Sequence, residues 1–198
     1  MFVNINRSIF KCIQSHFNGL QNVGTGDEPP PHIQQWFALA DNDRNGVITA
    51  KELQRVLANG QGGTFSDKCC QLLTGLFGKQ TRGSINYVEF QGLFNYINSW
   101  LGIFKGFDKD NSGTIQEGEL AEAFTQMGYR FSPEFYSNVM RMNDQNSTGN
   151  ITVDQFIVLC IRVQKFTEEF RKRDTGAQGV INIGFEDFLT ITLGCDYL

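Results

Sequence analysis

The chain has 198 residues, of which 40% are hydrophobic, enough to build a substantial core. A formal net charge of −4 argues against a protein that grips phosphate backbones, a task that needs a basic face, so nucleic acid is not expected as a partner. Five cysteines without a C-x-x-C spacing suggest neither a disulfide framework nor a zinc site, and no stretch is apolar enough to span a bilayer, so a reducing, cytoplasmic setting is expected.

Residues 1–31 form a segment of their own, set apart from a domain of internal repeats expected over 32–198. Within it Ile5, Ile9, Ile13 and Phe17 recur every four residues beside Arg7 and Lys11, a spacing that fits a short basic amphipathic helix. Two positive charges are too few for firm membrane anchoring, and packing on the domain or absence of fixed structure is the simpler expectation. His16 falls in this segment and His32 just after it, neither with a nucleophile pattern around it, and no enzyme activity is expected.

From Asp41 onward a twelve-residue template with glycine at place six and isoleucine at place eight recurs five times. The copies are DNDRNGVITAKE from Asp41, GKQTRGSINYVE from Gly78, DKDNSGTIQEGE from Asp108, DQNSTGNITVDQ from Asp144 and DTGAQGVINIGF from Asp174. In the first copy Ile33, Trp36, Phe37 and Ala40 lead in as one helix, and Leu53, Val56 and Leu57 lead out as another. Its oxygen donors fall at places 1, 3, 5, 7, 9 and 12, the pattern of a helix-loop-helix calcium loop, or EF-hand. The proposed ligands are Asp41, Asp43, Asn45, the carbonyl of Val47, Thr49 through water, and Glu52 with two oxygens. Calcium takes six to eight hard oxygens, and a chain surrounds one ion only by turning sharply, which is why place six is a glycine.

The linker NGQGGTFSD then breaks the helical pattern, with Ser66 as the expected N-cap of the next helix. The second loop has Gly78, Gln80 and Arg82 where ligands belong, so Glu89 is left alone and this loop is expected to be empty. From Glu89 to Phe107 the residues Phe90, Leu93, Phe94, Ile97, Leu101 and Phe104 follow the spacing of a buried helical stripe. The third loop supplies Asp108, Asp110, Ser112, the carbonyl of Thr114, Gln116 through water, and Glu119.

After MGYRFSPEF, where Gly128 stops a helix and Ser132 with Pro133 starts the next, the fourth loop keeps Asp144, Asn146 and Thr148 but ends on Gln155. Weak binding or none is expected there. The fifth loop carries Gly176 and Gln178 after Asp174 and closes on Phe185, so it is expected to be structural. Loop starts are separated by 37, 30, 36 and 30 residues, and the two shorter gaps leave room for only one helix each. Hands two and three should share a helix, as should hands four and five.

The expected fold is therefore all-α, with five helix-loop-helix units whose short loop strands pair first with second and third with fourth. The fifth hand lacks a partner within the chain, and a second chain would supply one through an isologous contact.

Five hands with these spacings, together with the stretches YINSWLGIFKGFDKDNSGTIQEGELAEAFTQMGYRFSP and FRKRDTGAQGVINIGFEDF, resemble the penta-EF-hand family over roughly residues 33 to 198. The resemblance implies an all-helical domain, dimerisation through the fifth hand, and calcium-driven exposure of apolar surface that recruits partner proteins or membranes. Three roles are compatible with this: a cytosolic sensor and adaptor, a regulatory subunit of a calpain-like protease forming a heterodimer, or a passive calcium buffer. The chain departs from the family pattern in that residues 1–31 carry only NVGTGDEPPP of the Gly/Pro/Tyr-rich character many members begin with, and in closing its fourth loop on Gln155.

Overall fold

The computed structural model describes residues 31–196 except 82, 145 and 146; the amino-terminal amphipathic segment, Arg82 and Asn146 lie outside the described residues. The fold is helical. In chain order the elements are α1 (Pro31–Ala40), β1 (Val47–Ile48), α2 (Ala50–Val56), α3 (Asp67–Phe77), β2 (Ile85–Asn86), α4 (Tyr87–Phe107), β3 (Ile115–Gln116), α5 (Glu117–Gln126), α6 (Pro133–Asn143), β4 (Asn150–Ile151), α7 (Val153–Arg173) and α8 (Phe185–Asp196).

The repeated template fixes both ends of loops one to four. The place-nine residue caps the outgoing helix while the place-twelve side chain reaches back to its backbone, as Thr49 with Glu52 and Asn86 with Glu89 show. Place eight forms the strand. Ile48 faces Ile85 across the antiparallel pair β1–β2, and Ile115 faces Ile151 across β3–β4, all four being fully buried. The fifth loop has no strand among the described residues, which leaves it outside both pairs.

α4 and α7 are single 21-residue helices shared between consecutive hands, about 30 Å long at 1.5 Å per residue. Of the stripe expected on α4, Phe90, Leu93, Ile97 and Phe104 are buried and Phe94 packs at the edge of the core, whereas Leu101 is exposed. One residue earlier the fully buried Trp100 takes the inward position, stacked edge-on against Phe156 of α7 with ring centroids 6.0 Å apart. This contact joins the two paired lobes through their apolar interiors.

Linker signals act where the sequence puts them. Gly128, at φ 93°, ends α5 by letting Tyr129 N–H bond back to the Phe124 carbonyl at 2.8 Å. Ser132 caps α6 by accepting from Phe135 N–H, with Pro133 in its first turn. Ser66 caps α3, and its own N–H donates at 3.0 Å to Asp154, a carboxylate at the start of α7 that is only 3% exposed. Asp154 also accepts from Thr152 Oγ1 at 2.6 Å, so one buried acid holds both lobes.

Candidate metal centres

Each loop begins at a helix C-terminus and must reverse direction within six residues. Four of the five do so in the same way, with a left-handed non-glycine residue at place four followed by a left-handed glycine at place six. The place-four residues are Arg44, Asn111, Ser147 and Ala177, at φ between 50° and 58°. This turn points the place-five and place-six N–H groups at the place-one carboxylate. Asn45 N and Gly46 N donate to Asp41 at 3.1 and 3.0 Å, Ser112 N and Gly113 N to Asp108 at 2.9 Å each, and Gln178 N and Gly179 N to Asp174 at 2.9 and 2.8 Å.

In loop one, Asp41 and Glu52 are buried and Asp43 is exposed; in loop three, Asp108 is buried, Glu119 half-buried and Asp110 exposed. In each trio one oxygen per residue lies within 4.8 Å of the others, and these are the two such acidic groups among the described residues. That separation is about twice a calcium–oxygen bond of ~2.4 Å, so one ion placed among the oxygens can touch all three. The donors are hard oxygens without nitrogen or sulfur, which suits calcium rather than a softer metal.

The place-twelve glutamates are already oriented. Glu52 accepts from Asn42 N at 3.2 Å through one oxygen and from Thr49 N at 3.0 Å through the other; Glu119 does the same with Lys109 N at 2.9 Å and Gln116 N at 3.0 Å. The Thr49 backbone N–H, opposed by burial, holds the Glu52 carboxyl below the usual carboxylate range, and Ser112 does so for Asp110. The remaining expected donors lie beside these acids. Asn45 bonds Asp43 at 2.9 Å and receives Val47 N–H at 2.9 Å, while Ser112 Oγ stands 3.2 Å from the Thr114 carbonyl.

Loop two is closed by its own backbone. Gly83 N, which in the other loops would meet a carboxylate, donates to the Gly78 carbonyl at 2.9 Å. A Cβ on Gly78 would lie 2.0 Å from the Ser84 carbonyl oxygen and 2.7 Å from that of Thr74. The place-seven carbonyl, an ion ligand in a working loop, has folded into the space an aspartate side chain would need. Glu89 keeps the same two contacts, from Gln80 N and Asn86 N at 3.1 and 3.0 Å, but no acid at place one or three stands beside it. In loop four Asp144 still holds Gly149 N at 2.6 Å, but Gln155 offers only a neutral oxygen, bound to Thr152 N at 2.8 Å. In loop five the closing residue, Phe185, is 74% exposed.

The sequence reading missed three features: the left-handed place four, the collapse of loop two, and a contact from Gln61, whose Nε2 donates at 2.8 Å to the Ser112 carbonyl of loop three. Only the collapse had a visible signal, glycine in place of aspartate at position 78.

Paired helix-loop-helix units around clustered acids define an EF-hand metal-binding protein, and residues 31–95 match the family model described as an EF-hand domain pair. Against characterised relatives, the chain is 37% identical to Peflin from Xenopus laevis over 183 residues, covering 90% of this chain and 65% of that protein. It is 38% identical to human Peflin, covering 85% of this chain and 61% of that one, so it spans less than two thirds of the length of these Peflins. It is also 35% identical to human Sorcin over 168 residues, with 83% of each chain covered. A solved structure described as a homologue of programmed cell death 6 protein from Leishmania major superposes with a TM-score of 0.73 at 26% identity, covering 82% of this chain and 93% of that one. The chain belongs to the penta-EF-hand family of calcium-binding proteins.

Proposed function

We propose that the chain is a cytosolic calcium sensor and adaptor in which loops one and three bind the ion, helices shift, and newly exposed apolar surface recruits a protein partner or a membrane surface. The observation that carries this reading is the pair of acid trios, Asp41, Asp43, Glu52 and Asp108, Asp110, Glu119, each within reach of a single dication. Three carboxylates held this close repel one another, and without a cation the repulsion is offset by backbone N–H groups together with the Asn45 and Gln116 amides and the Thr49 hydroxyl. A divalent ion removes that repulsion and exchanges the N–H contacts of Glu52 and Glu119 for its own, drawing α2 and α5 toward their loops. The affinity expected of such a sensor is on the order of 10⁻⁷ to 10⁻⁵ M.

The fifth hand supplies the second half of the proposal. Val180, Phe185, Phe188 and Leu193 are each at least half exposed, an apolar face next to a loop with no strand partner. A second copy of the chain, or the fifth hand of a related chain, covers this face, and the role is regulatory rather than catalytic. No described helix is long and apolar enough to cross a membrane.

Calorimetric calcium titration of the full chain beside Glu52→Gln and Glu119→Gln tests the ion reading. Two strong sites, each removed by its own substitution, are expected; no micromolar binding refutes it. Apolar-dye binding that rises with calcium distinguishes a sensor from a buffer. Sedimentation of the chain alone and with a calpain large subunit distinguishes a homodimer from a protease subunit.

A further inference from the structure

We infer that Gln61 is a positioning residue through which hand one sets the calcium affinity of loop three; this rests on the reading that loop three binds the ion. α2 carries Glu52 in its first turn, and beyond its end the chain reverses in a hairpin rooted on that helix. Asn59 N donates to the Gly63 carbonyl at 3.0 Å, and Phe65 N to that of Leu57 at 2.9 Å. Asn59 Oδ1 fills the turn by accepting from Gln61 N and Gly63 N at 3.0 and 3.1 Å. Gly60 and Gly62 take φ of 80° and 78°, which L side chains rarely adopt, so the hairpin is tight and its tip is held at a definite point.

Gln61 stands at that tip. Its Nε2 donates at 2.8 Å to the carbonyl of Ser112, which lies 51 residues further along at place five of loop three. The peptide unit that carries this carbonyl also carries the N–H of Gly113, and that N–H donates to Asp108 Oδ2 at 2.9 Å. One peptide plane is thus held from both sides, by Gln61 at its oxygen and by the first ion ligand at its nitrogen. A donor on the carbonyl polarises the amide and strengthens the bond the amide makes. The contact is close, since a Cβ on Gly113 would come 2.5 Å from Gln61 Nε2, whereas the equivalent Gly46 and Gly149 have open space.

Two consequences follow from this geometry. Loop three is pre-organised from outside its own hand, which reduces the ordering required when the ion arrives. And because the hairpin is rooted on α2, the displacement of α2 that accompanies ion capture by Glu52 moves the tip against loop three. Occupancy of one loop then alters the affinity of the other, and the effect is reciprocal by linkage.

The test replaces Gln61 with methionine, which keeps the length and removes the donor, in full-length chains that also carry Glu52→Gln or Glu119→Gln. Calcium calorimetry on the Glu52→Gln background should show loop three weakened about three- to tenfold, the range expected for losing one hydrogen bond. On the Glu119→Gln background loop one should stay within twofold, and with both loops intact the coupling between them should shrink. Amide exchange at Gly113 should accelerate while that at Gly46 does not. Loop-three affinity unchanged by Gln61→Met overturns the inference, as does equal weakening of both loops. If Glu52→Gln alone leaves no calcium binding, the assignment of loop three fails first and this inference with it.

Discussion

Gly78 gives the sharpest test of the idea that backbone fills loop two. It is buried, and its φ of −78° is open to any residue, so the obstacle to a side chain is purely steric. An added methyl would lie 2.0 Å from the Ser84 oxygen and 2.7 Å from that of Thr74, and ordinary carbon–oxygen contact requires about 3.3 Å. Backbone must therefore move by more than about 1 Å, straining the bonds Gly78 N to Thr74 O and Gly83 N to Gly78 O, both 2.8–2.9 Å. Overpacking of about 1–3 kcal/mol together with a weakened hydrogen bond of about 1 kcal/mol puts the loss for Gly78→Ala on the order of 2–4 kcal/mol. At roughly 2–4 °C per kcal/mol, that is a fall in Tm of about 4–16 °C. Calorimetry and urea unfolding of calcium-free protein would measure it, with Gly75→Ala as control. Gly75 lies exposed on α3 with nothing near its would-be Cβ, so its substitution should raise stability by about 0.5–1 kcal/mol. Gly78→Asp should destabilise at least as much and add no third calcium. A Gly78→Ala protein within 0.5 kcal/mol of the parent, or a third ion in Gly78→Asp, would refute the idea that backbone fills this loop.

Replacing Asp154 with alanine should cost about 2–3 kcal/mol in urea unfolding, because Ser66 N–H and Thr152 Oγ1 lose a buried charged acceptor, and Asp154→Asn should cost less. Asp187 accepts both arms of the Arg173 fork at 2.8 and 2.9 Å, which holds its carboxyl below the usual range. A depressed folded pKa contributes stability above the unfolded value and loses it as pH falls through the folded one, so Asp187→Asn should flatten the drop of Tm between about pH 5 and pH 3. Burial raises the thiols of Cys69, Cys70 and Cys160, that of Cys70 to about 12. In a Cys12→Ser, Cys195→Ser protein a thiol reagent at neutral pH should therefore modify none of them until urea unfolds the chain.

Much of the architecture was legible because EF-hand geometry is local. Isoleucine at place eight announces the strand pairs that join Ile48 to Ile85 and Ile115 to Ile151, and the gap of 30 residues between loop starts announces the shared helices α4 and α7. The acids at places one, three and twelve of loops one and three stand close together for the same reason, since twelve consecutive residues with one turn geometry leave little choice. What escaped the sequence depends on distant parts of the chain. Asp154 reads as an ordinary first-turn acid of α7 until Ser66, 88 residues earlier, arrives to use it. Gln61 reads as linker filler until loop three arrives beneath it. Leu101 fits the apolar stripe by spacing, yet the wider Trp100 next to it claims the interior.

The backbone closure of loop two has a consequence in time. Because β2 is held in register by Gly78, Ser84 and Glu89 without an ion, β1 has a finished edge to rest on whether or not loop one is filled. On the proposed sensor reading, hand one therefore need not assemble its scaffold when a calcium pulse arrives. Only a few ligand side chains and one short helix have to rearrange, a motion of microseconds to milliseconds rather than the slower cooperative folding of a whole lobe. On that reading a neighbour closed by its own backbone makes loop one a fast one, suited to brief transients as well as sustained rises.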